Sequence, residues 1–221
     1  MRKLLLVLAV LVVAASARAD VVNVTLIGYN GGNWQWGYPY FANVQGFGVI
    51  PVLCDDYVHG GMPNDHWQAN LNNLAAHNIG QLRFNNMPDG NALAALVRYE
   101  EAGWMLLQTE RSPKDSWRDM NNAVWHLFDP QSPLSAFGAW WLGKAQAEAN
   151  IGFPGVDFSR VDIITPLNQH DPDPNGPQEF MFLTAGSADS PASSPASTPE
   201  PASLLLLGTG IVATVCRSLR S

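Results

Sequence analysis

The strongest constraint on the fold of this 221-residue chain is the order in which its hydrophobic pattern changes. Apolar and polar residues alternate within residues 21–54 and again within residues 158–185, a pattern typical of half-buried strands. Between these ends, apolar residues recur at intervals of three and four, the spacing of an amphipathic helix. This order predicts an α+β fold with antiparallel, sandwich- or barrel-like ends and an inserted block of about four helices.

Turn and capping residues mark the boundaries of these elements. The predicted strands are residues 21–30, 44–54, 158–166 and 178–185. The predicted helices are residues 65–80, 90–108, 112–128 and 132–150. Asp65 is a suitable N-cap for the first helix, and Ser-Pro pairs open the last two. The last two strands flank the turn-rich residues 167–177, and we expect them to form an antiparallel hairpin.

Two of the predicted helices carry clear apolar stripes. The stripe of helix 90–108 consists of Leu93, Leu96, Val97, Trp104 and Leu107. The stripe of helix 112–128 consists of Trp117, Met120, Val124, Leu127 and Phe128. These faces are expected to pack against the rest of the domain.

The N-terminus has the three parts of a secretory signal peptide. Arg2 and Lys3 form a basic start, residues 4–15 are apolar, and the small-x-small triplet 17–19 follows. We expect signal peptidase to cleave after Ala19, so that the body is exported. A buried N-terminal helix is the alternative, but the run lacks the polar stripe that such a helix would show.

The charge of the exported part restricts its partners. Residues 20–199 contain seven basic and 18 acidic residues, a net charge of −11. Such an acidic body argues against nucleic acid and against adhesion to anionic lipid. We expect one α+β domain over residues 20–185, followed by a disordered Ser/Pro/Ala linker over residues 186–198.

The C-terminus, residues 199–221, combines a Pro-Glu-Pro triplet, a short apolar helix and two arginines. The apolar residues 204–216 would span about 20 Å as a helix. This is well short of the roughly 30 Å hydrocarbon core of a bilayer. Arg217 and Arg220 follow as a membrane stop, on the cytoplasmic side by the positive-inside rule.

This tail resembles the PEP-CTERM sorting signal of Gram-negative bacteria, in which Pro199, Glu200 and Pro201 form the motif. The resemblance implies cleavage near the triplet by a membrane transpeptidase called exosortase. It also implies an inner membrane-tethered precursor and a final place at the outer surface or outside the cell. A marginal helix would hold the substrate at the membrane only until it is processed. The alternative is a weak C-terminal anchor that simply remains.

The two cysteines are expected to lie on opposite sides of the membrane. Cys216 belongs to the tail and Cys54 to the exported body, so a disulfide between them is implausible. Cys54 is then unpaired in an oxidising compartment. One interpretation is a small buried core residue.

The body has a second resemblance, carried by the stretches LCDDY (53–57), RYEEAGWMLLQ (98–108), NNAVWHLF (121–128) and the ending IITP…NGPQEFMFL. They look like a group of PEP-CTERM bodies of unknown function, and the same skeleton is similar to the thioester domains of Gram-positive surface adhesins. In those domains a Cys is acylated by a Gln two residues before Ala-Ile-Trp, which forms an internal thioester that reacts with amines. The matching positions here are Cys54 and Asn121.

Asn121 departs from that pattern. Asn is one methylene shorter than Gln, which moves the carboxamide by about 1.5 Å and would disturb a near-attack geometry. Asn121 lies between Trp117 and Val124 on the inward helix face, so a buried carboxamide bonded to backbone is the alternative. The prediction is a thioester-domain-like scaffold without the bond.

Other polar groups give weaker indications of chemistry. Asp55, Asp56, His59 and His66 are candidates for a metal or acid/base cluster, against solvated charges at a strand end. Residues 171–176 resemble the start of an EF-hand loop, but Phe182 stands where the bidentate Glu is required. Glu100 and Glu101 point about 100° apart on a helix. We therefore predict no catalytic residues, metal or cofactor.

An aromatic loop is the best binding candidate. Trp34, Trp36, Tyr38 and Tyr40 alternate along residues 34–41 and would face one side as a sugar-stacking platform. Alternatively, an edge strand folds these rings into the core.

Together these observations predict a non-enzymatic, exopolysaccharide-associated protein of the cell surface or extracellular matrix. Its expected partners are signal peptidase, exosortase, the membrane through the transient C-terminal helix, and polysaccharide, with no nucleic acid. A thioester-type adhesin and a carbohydrate-binding module using residues 34–41 are the alternatives.

Overall fold

The computed structural model describes residues 20–29, 39–85, 92–168 and 176–185. The predicted signal peptide, linker and sorting tail lie outside these ranges. The strands are β1 Asp20–Tyr29, β2 Tyr40–Val44, β3 Gly48–Cys54, β4 His66–Asn73, β5 Val161–Pro166 and β6 Phe180–Leu183. The helices are α1 Ala92–Gln108, α2 Trp117–Phe128 and α3 Ala136–Asn150, with short 3-10 turns at Leu74–Ala76, Ile79–Gln81, Lys114–Ser116 and Phe158–Arg160.

The six strands form one closed antiparallel barrel in the order β1-β2-β3-β6-β5-β4. The three helices are inserted between β4 and β5, so the prediction of barrel-like ends around a helical block is confirmed. β5 and β6 pair antiparallel, with Ile164 opposite Phe180, which confirms the expected hairpin. β6 also pairs with β3, where Cys54 stands opposite Phe180.

Alternation along the strands creates two adjoining cores. Val22, Val24 and Leu26 of β1 are buried in the barrel interior, while Val21 and Ile27 are exposed. In β3, Cys54 belongs to the interior cluster and its neighbour Leu53 belongs to the cluster beneath the helices. The helical layer therefore covers one outer face of the barrel.

The predicted helix over residues 65–80 is wrong. Residues 66–73 form β4, which pairs with β1 on one side and β5 on the other. Asn70, Asn72 and Asn73 are poor helix formers whose side chains compete for backbone hydrogen bonds. Asn73 does this by accepting a bond from the Ala75 amide. The described part of the chain thus has three α-helices rather than about four.

The buried residues of α2 match its predicted apolar stripe more closely than those of α1 do. On α2, Met120, Val124, Leu127 and Phe128 are buried as expected, and Trp117 is half-buried. On α1 the predicted stripe is right in part: Leu96, Trp104 and Leu107 are half-buried and pack against the core, whereas Leu93 is 68% exposed. The fully buried face of that helix has many small residues, and it includes Ala95, Tyr99, Ala102, Gly103, Met105 and Leu106.

The third helix begins slightly later than predicted. It starts at Ala136, where Ser135 is the N-cap and its hydroxyl accepts a 2.8 Å hydrogen bond from the Gly138 amide. Across the described ranges, no helix combines the length and apolar character needed to cross a bilayer.

Candidate functional site

The structure brings Cys54 and Asn121 together at the interface between the barrel and α2. Cys54 ends β3 and is fully buried, and Asn121 lies in the first half of α2 with only 2% of its surface exposed. The Cys54 amide donates a 3.3 Å hydrogen bond to Asn121 Oδ1. Cys54 is a free thiol in this structure. Cys54 and Asn121 are therefore in contact. The Asn121 carboxamide is hydrogen-bonded to a backbone amide, as expected for a buried carboxamide.

The environment of Cys54 keeps its thiol protonated. Sγ donates a 3.2 Å hydrogen bond to the carbonyl oxygen of Asp56. Complete burial, followed by the charges of Asp56 and Asp55, raises the pKa of Cys54 well above its usual value. The indole of Trp125 acts in the opposite direction without reversing the shift. A thiol of this kind is a poor source of thiolate at neutral pH.

Trp125 connects the pair to an adjacent cavity. It lies one helical turn after Asn121 and reaches from α2 into the interior cluster of the barrel. Its ring contacts Tyr57 at a centroid distance of 5.3 Å. Tyr57, His59, Trp125 and Gln178 are among the residues that line a cavity of about 190 Å³. The indole therefore forms part of the wall between this cavity and the thiol.

One buried donor of the pair is unused within the described residues. Asn121 Nδ2 has no hydrogen-bond partner there, although Asn121 is buried. Buried donors are usually paired, because an unpaired one loses its hydration without compensation. Asn121 Nδ2 is thus a donor that is available to a new acceptor.

Asp56 is the centre of a buried ion pair. Its carboxylate contacts the Arg83 guanidinium, which also donates a 2.8 Å bond to the Pro177 carbonyl. His59 Nδ1 lies 2.9 Å from Asp56 Oδ1. Burial acts to raise the pKa of Asp56, but His59 and Arg83 outweigh it and lower that pKa.

Glu179 forms the second half of this network. Its carboxylate accepts hydrogen bonds from the Tyr99 hydroxyl at 2.6 Å, the Arg83 amide at 3.0 Å and the Thr165 hydroxyl. Burial and the nearby Glu179 charge raise the pKa of Asp55 well above its usual range. Burial likewise raises the pKa of Glu179, while its hydrogen bonds with Thr165, Tyr99 and the Arg83 amide act to lower it.

The candidate acid/base or metal cluster is partly assembled. Asp55, Asp56 and His59 come together, whereas His66 is exposed on β4 opposite Thr25. The alternative of solvated charges is wrong, since Asp55 and Asp56 are 0% exposed. Among the residues that the structure describes, no group of three or more His, Cys, Asp or Glu side chains is arranged to hold a metal ion.

Four residues of this network are not among the candidates predicted from the sequence. They are Arg83, Tyr99, Thr165 and Glu179. One available signal was Glu179 itself, a charged residue immediately before the apolar strand FMFL. Arg83 gave a similar signal, because it stands between the apolar Leu82 and Phe84.

Most of the aromatic platform lies outside the described residues, including Trp34, Trp36 and Tyr38. Tyr40 begins β2 rather than belonging to a loop, and its ring packs against Phe180 at a centroid distance of 5.9 Å. It also lines the 190 Å³ cavity. For this residue, the structure agrees with the alternative in which the ring folds into the core.

The remaining sequence candidates are not brought into this site. Residues 171–175 of the EF-hand-like stretch lie outside the described ranges, and Phe182 is fully buried. Glu100 lies 3.5 Å from His77, while burial raises the pKa of Glu101 to about 7.

In the comparison with known proteins, only the C-terminal tail of this chain has a match. Neither the curated proteins nor the solved structures include a match to this chain. The family model of the PEP-CTERM protein-sorting motif matches residues 197–221. This range contains Pro199, Glu200, Pro201, Arg217 and Arg220, the residues singled out from the sequence. The chain therefore carries a C-terminal PEP-CTERM protein-sorting motif, the signal of exported proteins that exosortases process.

Proposed function

We propose that this chain is an exopolysaccharide-associated protein of the cell surface or extracellular matrix, without enzymatic activity of its own. Signal peptidase removes residues 1–19, and exosortase then cleaves near Pro199, Glu200 and Pro201. The observation that supports this proposal is the match of the sorting motif to residues 197–221. The short apolar stretch 204–216 retains the precursor at the inner membrane until it is cut.

Replacement of Pro199, Glu200 and Pro201 by alanine tests the processing step. We expect the variant to accumulate in the inner-membrane fraction at the size of the uncleaved precursor. Alanine replacement of Ser193, Ser194 and Pro195 in the preceding linker is the matched control and should be processed normally. A triplet variant that reaches the same compartment at the same mature size as the wild type would contradict the proposal.

The chemistry of the buried network supports a non-enzymatic body. The thiol of Cys54 is neutral and fully buried. Asp56 is already committed to Arg83, and Glu179 to Tyr99, Arg83 and Thr165. Groups paired in this way hold α1 and three strands together, whereas a general acid or base must reach a substrate proton.

The contact between Cys54 and Asn121 favours a second candidate, a thioester-type adhesin. The thiol sulfur would attack Asn121 Cγ, forming a C–S bond and breaking the C–N bond. The thiol proton would leave with the amide nitrogen as ammonia. Asn121 Nδ2 has no hydrogen-bond partner in the described part of the chain, so its departure would break no such bond. An external amine would later displace the thiolate and leave a stable amide.

Intact mass spectrometry of the mature protein separates the two candidates. A thioester lowers the mass by one ammonia, and methylamine then adds to the protein. Cys54→Ser keeps a similar shape and should abolish both changes. Asn121→Gln restores the side-chain length of the thioester domains and is the positive control. A wild-type mass equal to that of the unmodified sequence would eliminate the adhesin candidate.

A further inference from the structure

The cavity of about 190 Å³ beside Trp125 combines aromatic and polar side chains in its lining. Tyr40 of β2, Tyr57 of the β3–β4 loop and Trp125 of α2 supply the aromatic rings. His59 of the same loop and Gln178, just before β6, supply the polar groups. The volume lies below the roughly 300–1,000 Å³ of sites for drug-sized ligands, so the cavity suits a small molecule.

Tyr57 is the aromatic ring of this lining that a ligand can reach most easily. It is 41% exposed, whereas its neighbour Trp125 is only 6% exposed. The two ring centroids lie 5.3 Å apart and the ring planes are inclined at 56°, so the rings form a corner rather than a flat stack. Tyr40 packs against Phe180. The cavity therefore has one accessible ring and two ordered rings next to it.

The β3–β4 loop is held by hydrogen bonds near both of its ends. Gln178 Nε2 donates a 3.0 Å bond to the Asp56 carbonyl and a second bond to the His59 carbonyl. The Asn64 amide donates a 2.7 Å bond to the Leu26 carbonyl. This side of the cavity is therefore formed before a ligand arrives, and binding has little backbone freedom to remove.

Glycines at two places leave room for this lining. The pairing of β1 with β2 shifts register between Leu26 and Gly28, and Gly28 has a φ of +138°, which other residues rarely adopt. A Cβ atom at Gly61 would lie 2.8 Å from Leu26 Cδ2 and 3.4 Å from Gln178 Oε1. A larger residue there would crowd two side chains of the lining. Register irregularities of this kind are frequent beside functional sites, where they redirect side chains.

The lining favours a neutral ligand. None of the described residues that line the cavity is Lys, Arg, Asp or Glu. His59 Nδ1 lies 2.9 Å from Asp56 Oδ1, and the Arg83 guanidinium contacts the same carboxylate. A charged ligand would thus lose its hydration without an unpaired opposite charge in the lining to compensate for it. A purely apolar ligand would instead remove water from Gln178 and His59 without replacing its hydrogen bonds.

We propose that this cavity binds one neutral sugar unit at the end of a polysaccharide chain. A pyranose ring has apolar C–H faces and a rim of hydroxyl groups, which is the combination that the lining favours. The small volume admits one unit rather than a stretch of chain, so the unit is a terminal one. The inference names a site and a ligand class for the polysaccharide association proposed above, and it rests on that proposal.

The expected contacts use both kinds of side chain. One C–H face of the sugar would stack on Tyr57, because C–H groups carry partial positive charge and the face of an aromatic ring is negative. The sugar hydroxyl groups would form hydrogen bonds with the Gln178 carboxamide and the His59 imidazole. The Cys54 thiol takes no part, since it does not line the cavity.

The test measures binding of single sugars, as methyl glycosides, to the full-length protein by saturation-transfer NMR in a detergent without sugar groups. The neutral probes are the glycosides of glucose, galactose, mannose, rhamnose and N-acetylglucosamine, and the charged probes are those of glucuronate and glucosamine. We expect at least one neutral glycoside to bind with a Kd of about 1 mM, at least about tenfold more tightly than either charged one. A trisaccharide ending in the same sugar should bind within about threefold of it.

Substitution of Tyr57 tests the site. Tyr57→Ala and Tyr57→Leu remove the ring and should each weaken binding about tenfold, and Tyr57→Leu keeps most of the apolar packing. Tyr57→Phe keeps the ring and should bind within about threefold of the wild type. Phe137→Ala is the matched control, because it removes an aromatic ring of α3 that is 72% exposed. Thermal unfolding of each variant verifies that it is folded.

Several outcomes would overturn this assignment. They are no binding of any neutral glycoside, equal affinity for a charged one, or wild-type affinity of both Tyr57→Ala and Tyr57→Leu. Loss of binding in Phe137→Ala or in Trp34→Ala/Trp36→Ala, with Tyr57→Ala unaffected, would place the sugar site elsewhere. Tighter binding of tetramethylammonium than of any sugar would assign the cavity to a cation.

Failure of the cavity and failure of the proposed function are distinguishable. Co-sedimentation of the mature protein with cell-surface polysaccharide measures the association itself. Association that persists in Tyr57→Ala would leave that proposal standing and overturn only the cavity. Exosortase processing is measured separately in cells, so the sorting proposal is unaffected by either result.

Discussion

The hydroxyl of Tyr99 joins α1 to the last strand of the barrel by donating a 2.6 Å hydrogen bond to Glu179. The same hydroxyl oxygen accepts a 3.0 Å bond from the Phe84 amide. One buried side chain thus satisfies a carboxylate and a backbone donor on two other segments.

Tyr99→Phe should therefore destabilise the protein by about 1–3 kcal/mol, because it leaves two buried polar groups short of a partner. Urea unfolding monitored by tryptophan fluorescence measures the change. Tyr57→Phe is the control, since Tyr57 is 41% exposed and its hydroxyl remains available to water. Equal stability of both variants would show that the Tyr99 hydroxyl contributes nothing.

Arg83→Met should lower the free energy of unfolding by about 3–5 kcal/mol, more than Tyr99→Phe does. It leaves the Asp56 carboxylate buried without the guanidinium that pairs with it. The double variant Arg83→Met/Asp56→Asn should recover a substantial part of the loss, since no unpaired charge remains. A double-mutant cycle of unfolding free energies gives the coupling. Additive losses would mean that the two side chains do not depend on each other.

The pKa of Glu101 gives the stability a pH dependence that can be measured. Burial raises this pKa from 4.5 to about 7, against the opposing charge of Arg98. Below about pH 4.5 both the folded and the unfolded state hold the proton. As pH rises towards 7, the unfolded state releases it first, so the folded state loses stability.

Glu101→Gln should remove that loss and gain about 1–2 kcal/mol over the wild type at pH 8, with little difference at pH 4. Chemical unfolding at both pH values checks this, with Asp115→Asn as the control, an exposed carboxylate that forms no salt bridge within the described residues. A gain of the same size at both pH values would attribute the effect to something other than titration.

Gly103 permits a close approach that any larger residue would block. A Cβ atom at this position would lie 2.6 Å from Leu74 Cδ2 and 3.4 Å from Phe158. Gly103→Ala should cost about 1–2 kcal/mol, because overpacking against Leu74 and Phe158 outweighs the gain in helix propensity. Gly143→Ala on α3, where a Cβ meets nothing within 4 Å, should instead stabilise by about 0.5–1 kcal/mol. Thermal unfolding of the two variants should shift in opposite directions.

The order of strands and helices could be predicted from the sequence more accurately than which face of each element is buried. Strands at both ends, the last hairpin and three of the helices follow directly from hydrophobic period. β4 was mistaken for a helix because HWQANLNN alternates only weakly, and its strand state depends on pairing with β1 and β5. On α1, Leu96, Trp104 and Leu107 pack against the core as predicted. Burial of Gly103 and the neighbouring alanines could not be predicted, because these residues pack by their small size, which a search for large apolar residues cannot detect.

Only part of the candidate site could be predicted from the sequence. Cys54 and Asn121 were paired through a resemblance, and their contact is present. Arg83 and Glu179 are 96 residues apart, and their hydrogen bond depends on how the barrel closes. Pattern within a single element carries no information about such a contact.

The position of β6 between β3 and β5 ties completion of the fold to the order of synthesis. Until residues 180–183 have left the ribosome, both neighbouring strands keep an open edge, and Glu179 cannot meet Tyr99. The barrel can therefore close only after β6 has been synthesised, shortly before the sorting motif that matches residues 197–221.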